Sequence, residues 1–86
     1  MVGRVFVSTA GRDKDKVMVI VKETEHYLLV CDGKERPVER PKRKNPKHLK
    51  LTELHLEAHQ LETNRALRKA LRLSGYEEEM QCQNQI

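Results

Sequence analysis

Tryptophan is absent from this 86-residue sequence, and Phe6, Tyr27 and Tyr76 are its only aromatic residues. Sequence-tolerant binding of single-stranded nucleic acid needs several aromatic platforms for the bases, so a stacking mode has little to work with. Cysteine is nearly as scarce. Cys31 falls in an apolar stretch and Cys82 in a polar one, which suits two thiols of a cytoplasmic protein better than a disulfide framework. No apolar run approaches the ~18 residues of a membrane span. Residues 1–7 lack the charged leader and long apolar core of a signal peptide. Also missing are a glycine-rich phosphate loop before a helix, a His-Glu-x-x-His pair and a Ser or Cys nucleophile signature. Of His26, His48, His55 and His59, the last two are spaced to share a helix face. A structural zinc needs four ligands, and neither cysteine is placed to complete the set. The chain reads as a protein that is not an enzyme, with no cofactor and no metal.

Charge is what the sequence has in quantity. Lys and Arg number 17 against 13 Asp and Glu, for a net +4. A chain this short makes one small domain with a thin core, and its basic balance favours polyanions. The charge is also unevenly placed. Residues 1–33 carry five basic and five acidic groups, and residues 51–86 carry four against six. Residues 34–50 carry eight, Lys34, Arg36, Arg40, Lys42, Arg43, Lys44, Lys47 and Lys50, against Glu35 and Glu39. Pro37, Pro41 and Pro46 punctuate that segment and keep it extended and out of helix. So dense a basic stretch inside a folded domain has the footprint of a polyanion contact. It lacks interleaved large apolar residues, which argues against insertion into a membrane surface.

Apolar patterning supplies the fold class. Residues 3–8, 17–22 and 26–32 are short runs rich in β-branched residues, joined by turn-like connectors, and predict antiparallel strands. Their near-continuous apolarity predicts a tightly curved sheet with little exposed face, and a further short strand is expected at residues 48–52. The period then changes. Leu61, Leu67, Ala70 and Leu71 follow helical spacing, with Thr63 or Asn64 able to cap the start and Ser74-Gly75 to end it. Leu67 and Leu71 are expected to pack on the sheet while Arg68 and Arg72 face out. Arg68, Lys69 and Arg72 fall in the last turns, where cations suit the helix dipole. Residues 53–62 are ambiguous, and residues 77–86 read as a polar tail.

The series Gly3-Arg4-Val5-Phe6-Val7, Gly11-Arg12-Asp13-Lys14-Asp15-Lys16 and Val19-Ile20-Val21 resembles the KOW motif. That motif is a strand, a basic loop with a central glycine and a second strand, found in SH3-like barrels of ribosomal proteins and transcription elongation factors. Leu29-Val30-Cys31-Asp32-Gly33, the basic stretch and Lys47-His48-Leu49-Lys50-Leu51-Thr52 are similar to large-subunit ribosomal proteins of the L-fourteen-e kind, and closer still to short bacterial KOW-domain RNA-binding proteins. The resemblance covers residues 3–52, and more loosely residues 60–73.

It implies a mainly β fold: an SH3-like barrel of four to five antiparallel strands over residues 1–52, then a linker and short C-terminal helix over residues 53–76. It implies RNA as partner, namely ribosomal RNA of the large subunit, with neighbouring ribosomal proteins as further contacts and a monomer when free. Many members have glycine where this chain has Asp15. Aspartate tolerates the left-handed conformation the turn needs, but a carboxylate there repels phosphate.

The predicted RNA contacts are Arg4 and the loop residues Gly11, Arg12, Lys14 and Lys16, together with Lys34, Arg36, Arg40, Lys42, Arg43, Lys44, Lys47 and Lys50, forming one surface. Cations on a rigid scaffold suit phosphate and shape recognition of folded RNA. The competing reading of the loop is a solvated turn in which Asp13 and Asp15 balance its cations. The competing reading of the whole is a protein-interaction module of a transcription or translation complex.

Overall fold

A computed structural model describes residues 1–76. Five strands come first: β1 (Arg4–Ser8), β2 (Val17–Glu23), β3 (Leu28–Cys31), β4 (Lys42–Lys44) and β5 (Leu49–His55). A 3₁₀ turn at Ala58–Leu61 leads into helix α1 (Asn64–Leu73). The strands form one antiparallel sheet in the order β4-β3-β2-β1-β5. The small mainly β fold with a C-terminal helix is thus the expected one. The expected tail, residues 77–86, lies outside the described residues.

The apolar runs look continuous because both faces of the sheet are buried. Phe6, Met18, Ile20, Leu28 and Val30 form one cluster, with Leu49 against it. Val5, Val17, Val19 and Cys31 form a second on the opposite face, covered by Leu67, Ala70 and Leu71 of α1. Register follows this alternation: Val5 faces Val19 across the ladder, and Phe6 faces Met18. Leu67 and Leu71 are fully buried, as their spacing predicts. Burying each such side chain contributes roughly 1.5–3 kcal/mol. Burial also pushes the Cys31 thiol up to about 12, with Asp32 and Glu39 adding to the effect, so it is an inert core residue.

The two edge strands of the sheet are joined by only four residues, Asn45 and the 3₁₀ turn Pro46–His48. Such a link reaches about 13 Å at usual rises per residue. The outer strands of a flat five-stranded sheet lie about 19 Å apart. The sheet therefore curls. The curl also lets Lys44 of β4 reach Ala10 O, at 2.8 Å, in the loop between β1 and β2.

Three boundaries differ from expectation. β4 lies inside the basic segment, where sequence indicates only extended chain. β5 continues three residues past Thr52, and a bulge absorbs the difference: the pairing steps from Phe6–Leu51 to Arg4–His55. Thr52 bridges the gap, donating its hydroxyl to Val5 O at 2.7 Å and accepting from Leu54 N at 3.2 Å. The rest of the ambiguous stretch is the 3₁₀ turn, closed by reciprocal bonds between Glu57 and Gln60. Thr63 caps α1 by accepting from Ala66 N at 3.0 Å, and Gly75, at φ 86°, ends it.

Candidate nucleic-acid interface

The loop between β1 and β2 is held by its own backbone. Ser8 N donates to Lys16 O at 2.9 Å and Asp15 N to Ser8 O at 2.8 Å. The path needs positive φ at two places, Gly11 (83°) and Asp15 (71°). Asp15 is the only non-glycine residue there among those described, and a short polar side chain tolerates that region better than most.

Asp13 does not point outward with its neighbours. Its side chain is 8% exposed and that of Lys44 is 6%, and Lys44 Nζ donates to Asp13 Oδ1 at 3.0 Å. Lys42 Nζ stands 3.5 Å from the same oxygen. Burial alone raises the Asp13 carboxyl, but the Lys44 hydrogen bond, a backbone hydrogen bond and the charges of Lys44 and Lys42 outweigh it. The carboxyl is held below its ordinary range. The loop tip therefore shows Arg12 and Lys14, both exposed, with only Asp15 beside them.

Across a cleft of about 230 Å³ stands the connection from β3 to β4, which contributes Arg36, Glu35 and Asp32 to the lining, facing Arg12 and Lys16. Lys16 pairs with Glu35 across it, which lowers the Glu35 carboxyl. The start of this connection is rigid. Asp32 Oδ1 accepts from Lys34 N at 2.9 Å and from Arg36 N at 3.0 Å. Asn64, at the start of α1, accepts from Val38 N at 2.7 Å and donates to Glu39 at 3.0 Å, lowering that carboxyl too.

The predicted contacts do not form one surface. Lys44 is a correction: its ammonium is consumed inside the protein and is not a surface cation. Strand alternation puts Arg43 on the other side of β4, where its guanidinium lies 4.6 Å from the ring centre of Tyr27. Arg4 is half-buried and donates Nε to Thr52 O. Arg40, Lys47 and Lys50 are exposed. Gly11 supplies a backbone conformation, and a Cβ there would meet Asp13 Oδ1 at 3.3 Å. Lys34 turns away from the cleft altogether.

Lys34 joins a group that residue-by-residue reading missed. With Arg65, Arg68, Lys69 and Arg72 it lines a shallow depression of about 510 Å³, and no acidic residue is among the described residues of its lining. Sequence suggested only a dipole role for the last three helix cations. The overlooked signal is their spacing with Arg65, at i, i+3, i+4 and i+7, which places all four on one helix face. Arg68 Nη1 also donates to Gly33 O at 2.9 Å.

No protein-family model and no curated protein matches the chain.

Proposed function

We propose that this chain is an RNA-binding module on an SH3-like barrel of the KOW kind, contacting folded ribosomal RNA of the large subunit by phosphate and shape recognition. The observation that carries this reading is the inward turn of Asp13. A solvated loop with balanced charge needs Asp13 at the surface. Its pairing with Lys44 and Lys42 instead leaves Arg12 and Lys14 exposed at the tip, and Arg12 lines the cleft together with Arg36. Hairpin tips on a rigid scaffold are common sites of recognition, and arginine can fork onto phosphate oxygens where lysine cannot. The curled sheet and its four-residue edge link support the barrel.

Co-sedimentation with large ribosomal subunits, and direct titration of refolded ribosomal RNA across a salt series, test the proposal. If about 5 phosphates are neutralised, log affinity falls against log salt with a slope near −3.5 to −4.5. R12Q/K14Q then binds more weakly with a shallower slope. Binding that stays constant from about 50 to about 300 mM salt is incompatible with contacts of this kind.

A further inference from the structure

We infer that the outer face of α1, with Lys34, is a second RNA-phosphate contact, so that one folded RNA is held on both sides of the turn at Gly33. This rests on the RNA-binding reading and names a surface that the KOW-like loop does not include.

The face is built from four helix cations. At about 100° per residue, Arg65, Arg68, Lys69 and Arg72 fall within an arc of about 100°, opposite buried Leu67, Ala70 and Leu71. From Arg65 to Arg72 they span about 10 Å along the axis. Lys34 approaches from the β3–β4 connection, and no carboxylate of the described residues lines the depression. Like charges at i, i+4 on a helix are mildly destabilising, so folding alone does not favour the arrangement.

The face is also positioned. Gly33, at φ 79°, lies so close to the helix that a Cβ would meet Asn64 O at 2.8 Å and Arg68 Cγ at 3.0 Å. Arg68 is fixed on Gly33 O from one guanidinium nitrogen, which leaves its other donors for a ligand. Lys34 lines the helix depression and Arg36 the loop cleft. Two residues of chain span at most about 7 Å. The turn is thus a narrow ridge between the cationic depression and a cleft of mixed charge that Arg12 and Arg36 line, and a polyanion crossing it meets cations on both sides.

RNA is favoured over an acidic protein surface because each described residue that lines the depression is a cation, and three of them are arginines able to fork onto phosphate oxygens. Protein hot spots combine Arg with aromatic anchors seated in packed pockets; this face supplies Arg, but no aromatic side chain is among the described residues that line it, and Leu73 on the same helix is 71% exposed.

The test compares full-length variants on refolded large-subunit ribosomal RNA. R65Q/K69Q/R72Q is expected to bind about 100-fold more weakly at about 150 mM salt, with a slope shallower by 2 to 3 units. R65K/R72K keeps the charge and so keeps the slope. K69Q makes the slope shallower by nearly one unit, whereas K22Q, an equal charge change on exposed Lys22 of β2, leaves it unchanged. Thermal melts confirm that each variant is folded. If the helix variant binds like the wild type while R12Q/K14Q is impaired, the inference falls and the loop reading stands, leaving the helix face to an acidic protein partner. If K22Q and K69Q act alike, only net charge matters and the inference falls. A wild type that binds no RNA overturns both readings.

Discussion

The densest cationic triplet, Lys42-Arg43-Lys44 on β4, and the sparser cations of α1 exchange roles between sequence and space. On β4 the two-residue period sends Lys42 and Lys44 inward to one carboxylate and Arg43 outward to a tyrosine ring. On α1 the 3.6-residue period gathers Arg65, Arg68, Lys69 and Arg72 onto one face. A run of charge along a chain is therefore not a patch of charge on a surface. Its secondary structure decides whether it disperses or converges, and its partners decide whether it reaches solvent.

The sharpest way to break this comparison is to remove one cation from each region and measure stability. Lys44→Met leaves a buried Asp13 carboxylate whose Oδ2 has no hydrogen-bond partner among the described residues. Losing one member of a buried ion pair typically costs about 3–5 kcal/mol, and Lys42 at 3.5 Å softens that only in part. The urea midpoint should fall accordingly with the slope unchanged. D13N/K44M should recover most of the loss, since removing both charges is far milder than removing one. Arg65→Gln, on the exposed face, should stay within about 0.5 kcal/mol. If Lys44→Met is equally mild, the two regions are not different in kind.

A smaller effect is expected where the two regions meet. Gly33→Ala introduces a Cβ at φ 79° that collides with the backbone of α1. Strain of that kind costs about 1–3 kcal/mol. Because the substitution pushes Lys34 and Arg68 apart, it should also weaken RNA binding without changing any charge. Unaltered melting and unaltered RNA affinity would show that the turn and helix are not pressed together.

Much of this arrangement is legible in the sequence, for physical reasons that can be named. β1, β2 and β3 announce themselves through β-branched runs, and α1 through its leucine spacing and its Thr63 and Ser74-Gly75 ends. β4 does not, because lysine and arginine carry little strand preference and its register comes from Leu28, Leu29 and Val30 of β3. The extension of β5 depends on Thr52 spanning a bulge, a tertiary event. The basic character of the candidate site is plain from composition, but the direction of each cation is not. Asp13 and Lys44 are 31 residues apart, and nothing local links them. The helix face is legible from spacing alone, since Arg65, Arg68, Lys69 and Arg72 repeat at i, i+3, i+4 and i+7.

The smallest effect concerns pH and bears on the buried side of the comparison alone. Asp13 has its carboxyl lowered from 3.8 in the folded protein. Between that folded value and 3.8 the unfolded chain binds more protons than the native one, so stability rises with pH across that window. The contribution is complete above 3.8 and is lost as pH falls through the folded value. Glu35 and Glu39 act in the same direction from the surface, so the wild-type acid curve mixes all three. Asp13→Asn isolates the term. Neutral asparagine cannot attract Lys44 at any pH, so this variant should be weaker than wild type near neutrality. The two should converge in acid once Asp13 is protonated. Urea midpoints from about pH 2 to pH 6 read the difference directly, and a gap that stays constant over that range would mean that Lys44 and Lys42 do not hold the carboxylate in its charged form.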